Sequence, residues 1–316
     1  MVEEELNDIS SQDSIIRMFR SISTRRGGRV SDSTRDTFSI YIRRFCKFCD
    51  TTPDELILDR AEDSQSSDIL TRRRHEELVM KFAQYLRDEG YSSNTVSTAI
   101  GAIRSFYRTN YYPLVEVNVP SGRPVRTYKV PSKEELAQVV DEARVPWHKA
   151  FMVLSKDCGM SLQDLLTLKA DNESPVYGSI AQQIRAGQVP IHVHIIREKT
   201  LIKYDTFLGE DSFELLNDYP ELIAKSLSSD KRLFPYSDTA IQLAMIRFGK
   251  VFGWKNFTPY SLRKWFRTQL TLDDMNEALI ETMMGHSLGK IKSAYLVPPP
   301  QKFMEKYQQH YPALKL

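Results

Sequence analysis

Apolar residues recur at helical spacing along most of the chain and alternate with polar ones over a single stretch. Residues 1–30 show no such period and contain Gly27-Gly28, so a flexible tail is expected there. From about Asp32 the stripe Phe38, Tyr41, Ile42, Phe45 and Phe48 predicts a first helix, with Thr52-Pro53 ending it or starting a turn. After an acidic, serine-rich loop, Leu78, Phe82, Tyr85 and Leu86 share one face of a second helix, which Gly90 stops. Ser93 or Asn94 can cap a third, whose inward positions are Val96, Ile100, Ile103 and Tyr107. The expectation is a small all-helical domain over 31–112.

Residues 113–131 hold Pro113, Pro120, Pro124 and Pro131 with basic residues between them, the composition of an extended linker. A second domain, 132–300, opens on Ser132-Lys133-Glu134-Glu135, a capping box ahead of Leu136, Val139 and Val140. Trp147 to Lys156 predicts a buried helix that Gly159 breaks, and Leu162 to Leu168 starts another. The alternating stretch comes next: Val189, Ile191, Val193 and Ile195, a turn around Lys199-Thr200, then Lys203 to Leu208, together a β-hairpin. Helices resume at Glu210 and Asp238, and Thr258-Pro259 marks another start, with a cap and proline in the first turn. Gly285 stops a helix, Ser287 can cap a short one that carries Tyr295, and Pro298-Pro299-Pro300 ends it. Residues 301–316 form a C-terminal tail with Phe303, Tyr307 and Tyr311 as its apolar anchors. The fold class is mainly α with a small β-hairpin.

Composition adds bounds. A length of 316 residues and a 41% hydrophobic share suit about two domains with cores of their own. No apolar run approaches the ~20 residues that cross a bilayer, and the start, Met1-Val2-Glu3-Glu4-Glu5, is too acidic for a signal peptide. An intracellular, cytoplasmic protein without a membrane partner is expected. Cys46 and Cys49 form a C-x-x-C with no second pair to complete a zinc site, and they fall on the first helix's apolar pattern, as buried thiols would. His192 and His194 share one strand face but lack a neighbouring carboxylate pattern, so no metal is assigned to them.

The net charge of +2 is uninformative, whereas its distribution is not. Charges are all basic from Ser14 to Ser31, and between Gly90 and Val130 Arg104, Arg108, Arg123, Arg126 and Lys129 face Glu116 alone. Such a stretch suits contacts with nucleic-acid phosphates; on charge alone it equally suits a solvated face.

The last sixty residues carry the chemistry. Thr258-Pro259-Tyr260-Ser261-Leu262-Arg263-Lys264 is followed by Met284-Gly285-His286-Ser287 and, nine residues beyond His286, by Tyr295. A tyrosine oxygen can attack a phosphodiester and keep the bond energy in a covalent link. An arginine fork matches two phosphate oxygens, and a general acid must protonate the departing sugar oxygen.

This ordered set resembles the tyrosine recombinases: phage and archaeal-type integrases, the Xer proteins and Cre. The likeness spans roughly residues 32–300. It implies a helical, SAM-like core-binding domain followed by a mixed α+β catalytic domain, closing on double-stranded DNA from two sides. By the same resemblance Tyr295 is the nucleophile and Arg263 clamps the phosphate. His286 binds the phosphate or assists proton transfer, Lys199 protonates the leaving oxygen, and Asp164 orients the site. The scheme calls for no metal or cofactor. The implied function is site-specific recombination or integration of DNA, as in mobile elements, through a 3′-phosphotyrosine intermediate. Four copies would assemble on paired sites by exchanging their C-terminal segments, the alternative being that each segment folds back on its own domain, in association with the nucleoid if the host is prokaryotic.

Two positions depart from the pattern. Ser161 stands where the first catalytic arginine belongs, inside an otherwise matching frame of Gly159, Leu162, Asp164 and Leu165. Tyr260 takes the place of a histidine or lysine, and its phenol can still donate to phosphate. Ser161 leaves open a DNA-binding protein with impaired cleavage, and a monomeric topoisomerase of type IB is the other alternative. Arg197 on the hairpin and Arg267, one turn beyond Arg263, are the candidate substitute cations.

Overall fold

A computed structural model describes residues 8–22, 30–115, 127–197, 201–228, 231–286 and 299–316. The chain divides into two compact units at Val125/Arg126, inside the proline-rich stretch. It is mainly helical with small antiparallel sheets, as the periodicity implied. None of the described helices is long and apolar enough to cross a membrane.

The first unit contains α1 (Asp13–Ser21), α2 (Asp32–Cys49), α3 (Pro53–Ser64), α4 (Ile69–Arg72), α5 (Arg74–Asp88) and α6 (Ser93–Thr109). Its core joins Ile42, Phe45 and Cys46 of α2 to Val79, Phe82 and Leu86 of α5 and to Ile100, Ile103 and Phe106 of α6. Thr52-Pro53 opens a helix instead of a turn: Thr52 accepts from the Glu55 N–H at 3.3 Å and Glu55 accepts from the Thr52 N–H at 2.8 Å. The expected stripe is also rotated. Val79 is buried where Leu78 is only half-buried, and Phe48 and Tyr85 stay exposed, their rings 5.4 Å apart.

The expected N-terminal tail is corrected over its described part. Ile15 and Met18 of α1 are fully buried, worth about 1.5–3 kcal/mol each. The Asp54 carboxylate accepts from the N–H groups of Asp13 and Ser14 at 3.1 and 2.8 Å, capping α1 from another helix. The cap comes from far along the chain, whereas the buried face is legible locally: Ile15, Met18, Phe19 and Ile22 stand at i, i+3, i+4 and i+7, a helical spacing that the reading of a tail overlooks.

The second unit is built around α8 (Pro146–Cys158), buried along its length from Ala150 onward. Before it comes α7 (Lys133–Glu142), with the expected Ser132/Glu135 capping box. After it come α9 (Leu162–Leu166), the two-residue strands β1 (Glu173–Ser174) and β2 (Gly178–Ser179), and α10 (Ile180–Arg185). The expected hairpin is β3 (Ile191–Ile196) with β4 (Lys203–Leu208), in register from Ile191 opposite Leu208 to Ile196 opposite Lys203. Then follow α11 (Glu210–Asp218), α12 (Pro220–Ser228), α13 (Asp238–Val251), α14 (Pro259–Leu272), α15 (Glu277–Met283) and α16 (Pro300–His310).

In the single chain the C-terminal segment lies on its own unit, one of the two arrangements expected of it. Phe303 and Tyr307 of α16 pack on Phe207 with ring centroids 5.3 and 5.1 Å away. Tyr307 donates to the Asp157 carbonyl at 3.0 Å. Lys156, fully buried in α8, pairs with Asp211 at 2.6 Å and donates to the Leu314 carbonyl at 2.8 Å. Apolar cover and a satisfied buried charge favour this closure within one chain.

Candidate functional site

The site lies where three sequence-distant segments of the second unit converge: the turn from α8 into α9, the end of β3, and the junction of α15 with Gly285-His286. Arg263 projects from α14 into the middle. The N-terminus of α14 carries Pro259, and the Ser261 hydroxyl accepts from the Thr258 N–H at 3.1 Å. One turn on, Arg263 is only 7% exposed. It donates to the carbonyls of Gly159 (2.7 Å) and Met284 (2.8 Å) and to His286 Nε2 (2.5 Å).

A guanidinium has no lone pair to offer, so Nε2 of His286 is the acceptor. The ring proton therefore sits on Nδ1, which donates to Glu281. Glu281 in turn forms an ion pair with Arg267 at 2.9 Å. This carboxylate sets the tautomer and orientation of the imidazole.

Gly159 ends α8 in the left-handed conformation at φ +59°. A Cβ there would lie 2.3 Å from the Phe266 ring, so glycine is required for α14 to approach. Ser161 follows as the N-cap of α9 and accepts from the Asp164 N–H at 3.3 Å. Its hydroxyl thus serves the helix end. Asp164, 5% exposed, accepts from the Tyr204 hydroxyl at 2.9 Å and from Arg197 through Nε at 3.0 Å and Nη2 at 2.6 Å.

Arg197, just past β3, fills the space between these segments. Besides Asp164 it donates to the Gly285 carbonyl at 2.8 Å and the Met284 carbonyl at 3.1 Å. The Met284 carbonyl is thereby shared by both guanidiniums. Gly285, at φ +65°, leaves room: a Cβ there would stand 2.7 Å from the Tyr204 ring and 3.0 Å from Arg197 Nη2. Burial, with Arg197 close by, pulls the Arg263 guanidinium down from its ordinary value. Burial opposes the charge of Arg197 too, but the hydrogen-bonded Asp164 outweighs it and the net shift is upward. Tyr204 is raised by burial and by the Asp164 charge, so it stays protonated and donates.

Of the expected site residues, the fold brings Asp164, Ser161, Arg263 and His286 together. Tyr295 and Lys199 lie outside the described residues, as do Arg123 and Arg126. Tyr260 is 49% exposed, with its ring 4.8 Å from Tyr128 and Lys264 nearby. Arg104 and Arg108 are exposed one turn apart on α6. Lys129 is paired with Glu135 at 2.7 Å and covers the Trp254 ring. Of the two substitute cations only Arg197 enters; Arg267 is held by Glu277 and Glu281, both at 2.9 Å. Glu281 and Tyr204 were not anticipated. For Glu281, five residues before His286, the signal was a carboxylate within reach across the helix end; Tyr204 carried no chemical signal apart from its place on the hairpin. His192 and His194 both face Asp205, at 3.2 and 2.8 Å. Cys49 is pushed up to about 12 by burial, with its thiol proton retained.

The family model of the phage integrase N-terminal SAM-like domain matches residues 18–113. Comparison with curated proteins finds no match. Among solved structures the chain is similar to lambda integrase in a dimer bound to a COC′ core site, at 13% identity and TM-score 0.61, over 92% of this chain and 98% of that one. It is similar to the XerH site-specific recombinase in a post-cleavage complex with a palindromic difH substrate (15%, TM-score 0.57, 89% and 80% covered). It is also similar to the Tn1549 transposon integrase in complex with circular intermediate DNA (15%, TM-score 0.54, 94% and 99% covered). At such identities the likeness concerns the fold.

Proposed function

We propose that this chain, which has the fold of the tyrosine recombinases, breaks and rejoins double-stranded DNA at specific sites through Tyr295. The observation that carries this is the convergence of Arg263, His286 and Asp164, drawn from three segments, on one half-buried cationic point. A helix-borne arginine beside an imidazole of set tautomer suits a phosphodiester in transfer.

In the proposed reaction the Tyr295 phenolic oxygen bonds to phosphorus while the bond to the 5′ sugar oxygen breaks. The phenolic proton passes to His286 Nε2, the nitrogen that accepts from Arg263 Nη2 until that group turns to the phosphate. Lys199 gives a proton to the departing oxygen. Attack on the phosphotyrosine by a 5′-hydroxyl reverses the step and rejoins a strand. Arg104 and Arg108 contact backbone phosphates, Arg123 and Arg126 extend that track, and Lys129 adds less because Glu135 neutralises it. Recombination uses paired sites and a tetramer.

The test is trapping of a covalent adduct on a random-sequence library of nicked duplexes. Wild-type protein should give a denaturant-stable adduct, and Tyr295→Phe should lose it while keeping DNA affinity. An adduct that persists in the variant moves the nucleophile elsewhere, Tyr260 first. A second reading, DNA binding without cleavage, is favoured by one observation: Ser161, in the arginine's place, is occupied in capping α9. Binding with no adduct from either protein would establish it.

A further inference from the structure

We propose that Arg197 is the second phosphate clamp of this site, supplying from the hairpin the guanidinium that position 161 lacks. The inference rests on the transfer chemistry proposed above and adds a residue to it.

Four observations support it. First, Arg197 and Arg263 are bridged by one acceptor, the Met284 carbonyl, so the two cations stand no further apart than two hydrogen bonds. Like charges in a half-buried place repel, and Asp164 is the one carboxylate in direct contact with either guanidinium among the described residues. The pair is left with an excess of positive charge that an anion would relieve. Second, donors remain. Toward the described residues Arg197 uses Nε, both hydrogens of Nη2 and one of Nη1, leaving an Nη1 hydrogen; Arg263 keeps Nε–H and an Nη1 hydrogen. The Arg197 side chain is 17% exposed, so a phosphate can reach it. Third, Arg197 is held by the carboxylate three residues beyond Ser161, the residue in the missing arginine's position. Its guanidinium is delivered to the same neighbourhood from another segment. Fourth, the site is shaped for it: a side chain at Gly285 would intrude on Arg197 Nη2 and on Tyr204. A planar fork with fixed donors suits two non-bridging oxygens in a way that a point charge does not.

The experiment compares wild type, Arg197→Ala, Arg197→Lys and the double variant Ser161→Arg/Arg197→Ala. Adduct formation on the nicked library should fall by about 100- to 1,000-fold in Arg197→Ala. It should fall clearly in Arg197→Lys, which keeps the charge that balances Asp164 but not the fork, and it should recover at least tenfold in the double variant. Melting curves and duplex affinity report whether each variant folds. Cleavage by Arg197→Lys and Arg197→Ala at close to the wild-type rate overturns the proposal and leaves the proposed function intact.

A second arm uses inorganic phosphate, measured by calorimetry, and needs neither a DNA site nor cleavage. Arg197→Lys should bind phosphate at least tenfold more weakly than wild type. If wild type forms no adduct, the proposed function fails, while this arm still decides the clamp: weaker binding by the variant supports it, and equal binding overturns it.

Discussion

Replacing Asp164 with asparagine tests the electrostatics of the site without changing its shape. Asp164 takes both nitrogens of the Arg197 fork and the Tyr204 hydroxyl, and its side chain is 6% exposed against 17% for Arg197. The amide keeps one acceptor oxygen but turns an NH2 group toward donors, and it removes the charge that separates two guanidiniums from mutual repulsion. Removing one partner of a buried pair costs about 3–5 kcal/mol. Because Arg197 retains some water, the low end applies, about 3 kcal/mol. In a unit of this size that lowers Tm by roughly 6–12 °C. Scanning calorimetry should show the loss in the transition of the second unit alone. Added phosphate should raise the Tm of the variant more than that of wild type, since an anion replaces the missing charge. A shift below about 2 °C, with no extra phosphate response, would refute the account of Asp164 as the counter-charge of this pair.

Gly285→Ala places a methyl 2.7 Å from Tyr204 at φ +65°, costing about 2–4 kcal/mol from strain and overpacking together; thermal melts should show the loss and phosphate affinity should fall with it. His75, buried and pulled down to about 4 by burial with Arg74 beside it, stays neutral in the folded first unit. The unfolded chain binds that proton near pH 6.5, so stability is full above about 6.5 and falls by roughly 3 kcal/mol as pH drops to about 4. Hydrogen-exchange protection in α5 and α6 should track this slope, and His75→Gln should flatten it. Deleting residues 301–316 should destabilise the second unit by exposing Phe207 and removing the Leu314 carbonyl from Lys156, which keeps Asp211; a truncated protein with unchanged Tm would argue for docking on another copy.

Where local chemistry decides structure, the chain was legible. The Ser132/Glu135 box, the proline at the start of α14 and the alternation of β3 all act within a few residues, and each appears as expected. Gly159, Asp164, Arg263 and His286 were placed in one site by their order, and they do meet. Other features depend on partners far away in the chain. Helix α1 carries an apolar face of Ile15, Met18 and Phe19 that the acidic start and Gly27-Gly28 masked, and its cap comes from Asp54, distant in sequence. Helix α3 had its signal in Thr52-Pro53 and Glu55, but the acidic and serine-rich run after it argued for a loop. Arg197 looked like any hairpin cation until Asp164 and the carbonyls of Met284 and Gly285 were brought beside it.

The closure of the second unit by α16 also sets a timetable for synthesis. Lys156 leaves the ribosome more than 150 residues before the Leu314 carbonyl that accepts its hydrogen bond. Through that interval α8 has its neighbours in sequence but not the helix that covers Phe207. Contacts of such separation form late and slowly. The first unit, whose core is complete by Leu114, can finish folding while the ribosome is still reading the second. The nascent protein therefore passes through a stage with a folded first unit and an open second one, in which the segment bearing Arg263 and His286 is already made but the helix that closes the unit is not.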